Sequence, residues 1–158
     1  MLKYAKKQDA PVTVPEEGDT LKLGNAVVTI LHCWPEAIRE NRTNDSSIVL
    51  RIDYGNTSFL FTGDAEDWSE YMMLDAKANL KADVLKVAHH GSRDSSTPAF
   101  LTAVQPKYAV ISAGRGNSYG HPHTEVLRRL ETIGAKVLRT DLAGTIIFRS
   151  DGSTVAPV

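Results

Sequence analysis

Leu21-Lys22-Leu23 and Val27-Val28-Thr29-Ile30-Leu31 flank Gly24-Asn25 and read as two strands joined by a tight turn. Residues 47–54 alternate, with Ile48, Leu50, Ile52 and Tyr54 on one face. Gly55-Asn56 supplies positive-φ turn chemistry, and residues 57–62 return antiparallel as a hairpin. Between these strand pairs, Pro35, Asn41, Asn44 and Asp45 mark residues 33–46 as a loop.

The period then changes. A helix is expected from about residue 66, where Trp68, Met72, Ala76 and Leu80 recur at spacing four and an acidic first turn suits the helix dipole. Trp68, Tyr71 and Met72 read as core. Residues 83–88 are a short buried-type strand running into His89-His90-Gly91-Ser92. Thr97-Pro98 opens a short helix that Gln105-Pro106 stops. Residues 108–112 are another buried strand, followed by a glycine-rich loop over 113–121. Pro122 starts a helix with an apolar stripe of Val126, Leu127, Leu130 and Ile133, closed by Gly134. Residues 136–139 and 145–148 complete the strands. Antiparallel strands followed by strand–loop–helix units predict a layered α/β arrangement with a mixed sheet.

Residues 1–17 are polar, with Pro11 and Pro15, and read as a loose entry segment. Residues 18–158 read as one domain, without internal repeat or linker. A chain of 158 residues, 42% hydrophobic and 23% charged, is long enough for a real core. Its net charge of -1 excludes nucleic-acid binding by bulk positive charge, though not by a local basic loop. No apolar run is long enough to span a membrane. The single cysteine, Cys33, cannot form an internal disulfide and reads as buried and inert.

Three polar clusters each follow a strand end: Gly63-Asp64, His89-His90-Gly91-Ser92 and the loop from Gly114 to His121. Loops at strand ends gather binding groups in sheet-based folds, so one convergent site is expected. Asp64 also reads as a helix N-cap. Adjacent histidines on a continuing strand would point to opposite sides, but Gly91 lets the backbone turn so that both rings face one pocket. Imidazole and carboxylate together suit a borderline metal, yet one Asp and two His make at most three ligands. His121-Pro122-His123 reads equally as a helix start. Gly114-Arg115-Gly116-Asn117 lacks the lysine of a phosphate loop, and no G-x-S-x-G elbow accompanies Ser92, Ser95 or Ser96.

These motifs, in this order, resemble the metallo-β-lactamase superfamily, and most closely its DNA-internalisation competence (ComEC) branch. The likeness runs from about residue 16 to about residue 150. It rests on Gly18-Asp19-Thr20-Leu21, Asn44-Asp45-Ser46-Ser47, Thr62-Gly63-Asp64, Lys86-Val87-Ala88-His89-His90-Gly91-Ser92, Asn117-Ser118-Tyr119-Gly120-His121-Pro122 and Arg139-Thr140-Asp141-Leu142-Ala143-Gly144. The resemblance implies an αββα sandwich with two divalent metals, zinc or manganese, at the edge between its sheets. It implies Asp64 and His90 as metal ligands, and His89 as the residue that meets the scissile phosphate or assists proton transfer. It implies Ser92, Asn117 and His121 as the border of the substrate. The parent chemistry is hydrolysis of a phosphodiester, with single-stranded DNA as substrate or ligand. The location implied is a soluble, extracytoplasmic domain of a bacterial membrane protein.

One departure changes the expectation. The superfamily's H-x-H-x-D-H signature is absent, and His32 stands alone before His89. The third-histidine position is replaced by the Asn44-Asp45-Ser46-Ser47 loop. The chain therefore reads as mainly the C-terminal half of the sandwich, with one sheet face left open for a missing N-terminal half or a second copy. Alone it is expected to hold metal weakly or not at all and to be inactive. The competing readings are a DNA-guiding module that uses Arg93, Arg115, Arg128 and Arg129, or an oligomerisation unit.

Overall fold

The computed structural model describes Tyr4 and residues 7–158. Seven strands form one sheet in chain order: β1 (Thr20–Leu23), β2 (Ala26–His32), β3 (Val49–Tyr54), β4 (Thr57–Phe61), β5 (Val84–Lys86), β6 (Tyr108–Ile111) and β7 (Lys136–Arg139). β1 to β4 pair antiparallel, and β4 to β7 pair parallel. The change of direction falls where the sequence pattern changes from alternation to strand–helix units, because parallel neighbours need crossover connections.

Three helices make those crossovers and lie on one face: α1 (Asp67–Asp75), α2 (Pro98–Val104) and α3 (Thr124–Thr132). Their core joins Val49, Leu60, Leu85 and Ile111 of the sheet to Met73, Phe100, Leu101, Val126 and Leu130. Thr97 caps α2 by accepting from the Phe100 amide at 3.3 Å, and Gln105 ends it in the left-handed region. The Val126/Leu130 stripe of α3 is fully buried as its spacing predicts, although the helix starts at Thr124, two residues after Pro122.

The other face carries Leu50, Ile52, Phe59, Phe61, Val84 and Val110, which the register places side by side. The alternation read in residues 48–54 is therefore real, but its apolar set faces away from the helices. Val49, Arg51 and Asp53 share the face turned towards them, and of these Val49 and Arg51 are buried. A two-stranded hairpin, β8 (Phe148–Ser150) and β9 (Val155–Pro157), covers part of this second face through Phe148 and Val155. The rest is open: Phe61 is 40% exposed, and Leu21 and Leu23 of β1 are exposed. The described residues thus form one mixed sheet with its helices on one side and a short hairpin on part of the other.

Several expectations need correction. Residues 33–46 are not plain loop but hold two 3-10 turns, Pro35–Glu40 and Thr43–Ser46. The strand expected at 145–148 begins at Phe148 and pairs with β9, whose short Val-Ala-Pro run carries little strand signal. α1 ends at Asp75, so Leu80 is buried beyond the helix and not on it. Trp68, Tyr71 and Met72 are 42%, 58% and 44% exposed, so they are not core. The buried side of α1 is Ser69, Glu70 and Met73, because loop groups satisfy the two polar residues there.

Candidate functional site

β4, β5 and β6 run parallel, so their carboxyl ends lie along one edge of the sheet. Three loops leave that edge and are tied together by backbone bonds. The His89 amide donates to the Gly63 carbonyl at 3.2 Å, and the His123 amide donates to the Gly91 carbonyl at 3.0 Å. His89, His90 and Gly91 all take positive φ, of 43°, 54° and 81°. Three left-handed residues in a row, in the turn just beyond β5, swing both imidazoles to the same side. Gly91 is needed for a second reason: a Cβ there would stand 2.6 Å from Pro122 Cβ.

Four of the five histidines meet at this edge. The His89 and His121 ring centres are 5.5 Å apart, His90 and His121 6.2 Å, and His121 and His123 4.8 Å. His90 Nδ1 lies 2.6 Å from the Ser112 carbonyl oxygen. A proton on Nδ1 satisfies that contact and leaves the Nε2 lone pair free. Nε2 stands 3.6 Å from Asp64 Oδ1. His89 Nδ1 is buried 3.2 Å from Glu66 Oε1, without the alignment of a hydrogen bond. Burial, reinforced by His123, His89 and His90, holds His121 below the usual imidazole range, which favours its neutral form.

Asp64 is not the cap of α1. Its backbone amide donates to Ser47 Oγ at 3.0 Å, and its carboxylate is half-exposed beside His90. The capping role falls to Asp45, which is fully buried. Asp45 Oδ1 accepts from Ser69 Oγ at 2.6 Å, from the Glu66 amide at 3.2 Å and from the Ser69 amide at 3.3 Å, while Arg42 pairs with Oδ2 at 2.8 Å. Burial raises the Asp45 pKa, but these partners outweigh it and hold the carboxyl below its usual range. Asn44 donates to Glu66 Oε1 at 2.8 Å. The Asn44–Ser47 loop thus acts as a scaffold for the Asp64–Ser69 segment.

The remaining expected residues fall in two places. Asn117 closes its own loop: Nδ2 donates to the Gly114 carbonyl at 2.9 Å and the His121 carbonyl at 2.6 Å, and Oδ1 accepts from the His121 amide at 3.0 Å. With His90, Ser112, Tyr119 and His121 it lines a cavity of about 420 Å³. Ser92 is buried and does not line this cavity, and its hydroxyl donates to Asp94 at 3.2 Å. Arg129 is committed to the Ser95 and Ser96 carbonyls, at 3.0 and 3.3 Å, whereas Arg93, Arg115 and Arg128 are exposed. Cys33 is half-buried, with its thiol on the Pro15 carbonyl. Burial and the acidic groups around it, Glu17 first, push the thiol pKa up, which keeps it protonated.

Sequence reasoning missed Glu66, Glu70 and Lys86. Lys86 Nζ donates to the Val87 carbonyl at 2.8 Å, close behind Gly63-Asp64, and burial lowers its pKa against the opposing pull of Asp64. Its position in an apolar strand, at the head of the Lys86–Ser92 motif, was the available signal.

For a metal, the donor chemistry fits in part. An imidazole with Nδ1 held by a carbonyl and Nε2 facing a carboxylate is an ordinary half-set of ligands. Among the described residues, however, no three His, Cys, Asp or Glu side chains already stand in a metal-holding group.

Residues 40–115 match the family model described as the metallo-beta-lactamase superfamily, and this stretch of the chain belongs to that superfamily. The chain is 40% identical to ComE operon protein 3 of Bacillus subtilis (strain 168), over 94% of its own length and 19% of that protein's. It is 43% identical to competence protein ComA of Neisseria gonorrhoeae over 66% of the chain and 15% of the relative. It is 38% identical to recombination protein 2 of Haemophilus influenzae over 71% and 14%. The chain thus spans a fifth or less of the length of these relatives. Among solved structures, it resembles the CmlA beta-hydroxylase E377D mutant with a TM-score of 0.53, at 17% identity over 78% of this chain and 31% of that one, which is a likeness of fold. The superfamily and the competence-protein likeness read from the motifs are borne out, as is the mixed α/β fold.

Proposed function

We propose that residues 18–158 are the C-terminal portion of a metal-dependent phosphodiesterase domain acting on single-stranded DNA in a DNA-uptake system, preceded by a loose segment over 1–17. The observation that carries this reading is the approach of His90 Nε2 to Asp64 Oδ1 at 3.6 Å, with His90 Nδ1 anchored on the Ser112 carbonyl. Asp64 and His90 would hold a zinc or manganese ion as part of a larger cage. When bound, the ion supplies a nucleophile at neutral pH and stabilises charge developing on a phosphoryl oxygen. His89 stands beside that pair, with Nδ1 buried towards Glu66, and would contact the scissile phosphate or pass a proton through its other ring nitrogen. His121 borders the substrate, while Asn117 and Ser92 act as positioning residues that shape the loops around it.

The open sheet face supports the view that the cage is completed from outside these residues. Phe59, Phe61, Val84, Val110, Ile146 and Phe148 line an apolar cavity of about 380 Å³ on that face. The missing half of the sandwich would cover it, or else a second copy. Among the described residues no helix is long and apolar enough to cross a membrane. The relative named as a competence protein fits a DNA-uptake role, and on that reading the domain would sit on the extracytoplasmic side of a membrane protein.

The test is cleavage of single-stranded DNA in manganese or zinc, by the chain alone and with the H-x-H-x-D-H-bearing half of a superfamily domain supplied in trans. The chain alone is expected to be inert, and the pair to cut only while Asp64 is intact. A pair that assembles and stays inert in both metals would leave the non-catalytic reading, a DNA-guiding or oligomerisation module.

A further inference from the structure

Tyr119 is 78% exposed at the tip of the glycine-rich loop. A single exposed aromatic is ordinary; its placement is not. The ring lies nearly parallel to His121, with centres 5.8 Å apart and planes 21° apart. His121 lies nearly parallel to His90, at 6.2 Å and 26°. The three rings make a ladder that starts at the Asp64–His90 pair and ends on an aromatic face in solvent.

We propose that Tyr119 is a stacking platform for an unpaired nucleobase, so that the site engages single-stranded rather than duplex nucleic acid. The inference deepens the proposed function and rests on it for the path of the phosphate backbone past Asp64 and His90. Bases in a duplex already have both faces covered, so a protruding ring stacks on an unpaired base without the cost of unstacking a duplex step. The platform is held ready: three bonds from Asn117 close the loop, and the Gly120 amide bonds back to the Asn117 carbonyl. Stacking on a preordered loop costs little in ordering entropy. Exposed Arg115, on the same loop, has its Nε on the Asp141 carbonyl at 3.1 Å, and its other guanidinium N–H groups would be left for a neighbouring phosphate. With a net charge of -1, bulk electrostatics cannot supply the affinity, and stacking must carry a larger share of it.

The test is fluorescence anisotropy at low salt without metal, with a labelled thymidylate dodecamer and the same strand with abasic sugars at its centre. The chain is expected to bind the intact strand about tenfold more tightly than the abasic one. Tyr119→Ala should remove that ratio without moving the melting temperature, and Tyr119→Phe should keep it. Equal affinity for the two strands, a ratio that survives in Tyr119→Ala, or no binding of either strand would each overturn the assignment. The hydrolase reading fails separately, through inert complemented protein, and that result leaves a measured base preference intact.

Discussion

Glu70 carries a pH dependence that can be worked out in advance. It is fully buried on α1, and its carboxylate accepts from the Ser96 amide at 2.5 Å and the Thr97 amide at 2.8 Å. Burial dominates and raises its pKa to about 7; the bonds from Thr97 and Ser96 oppose the rise, and Asp67 adds to it. The folded chain therefore holds this proton up to about pH 7, while the unfolded chain releases it near the ordinary value of 4.5. Between those values the folded state binds more protons, so stability falls as pH rises. A shift of this size corresponds to about 3 kcal/mol across the window. Glu70→Gln removes the titration and puts an NH2 group against a backbone N–H, losing about 1–3 kcal/mol at acid pH. Urea unfolding of both proteins from about pH 4 to pH 8 isolates the effect, because all other titrations cancel in the difference. The advantage of the native chain over the variant is expected to shrink steadily with pH. A difference that stays flat or grows with pH would refute the reasoning.

Asp45→Ala removes a fully buried carboxylate with five polar contacts, leaving Arg42 without its ion pair and the start of α1 without its acceptor, so it should cost about 2–4 kcal/mol in urea unfolding. Trp68→Ala should cost about 1 kcal/mol because the ring is 42% exposed and meets the Arg42 guanidinium 5.2 Å above it, whereas Met73→Ala, fully buried on the same helix, should cost about 2–5 kcal/mol. Equal losses at the two positions in thermal melts would mean that α1 packs on a different face.

The frame of the molecule was legible because its signals are local. Alternation in residues 47–54, a Gly-Asn turn and a return strand define the β3–β4 hairpin without help from elsewhere. The stripe of α3 and the Thr97-Pro98 start of α2 are equally local. What failed was the choice of face. Helical spacing placed Trp68 and Met72 on one side of α1 but could not say that Ser69 and Glu70 would be turned inward. Their polar atoms are satisfied by Asp45 and by Ser96-Thr97, far away in sequence. The site divides in the same way. Asp64 and His90 were readable as groups at strand ends, and parallel pairing of β4 with β5 brings those ends together. The Asp45 cap, the Glu66 carboxylate beside His89 and the His90–Ser112 anchor are contacts across 20 residues or more, which no local pattern records. The Asn117 lock spans four residues, yet its bonds depend on how the loop folds back.

The central claim is that Asp64 and His90 form one part of a metal cage. Cobalt titration of the chain, followed by visible absorption, tests it directly beside Asp64→Asn, His90→Ala and His123→Ala, the last altering a ring that accepts from the Arg93 amide. Weak saturable binding is expected, reduced about tenfold or more in the first two variants and unchanged in the third. Binding of equal strength in all four proteins, or a loss confined to His123→Ala, would contradict the account.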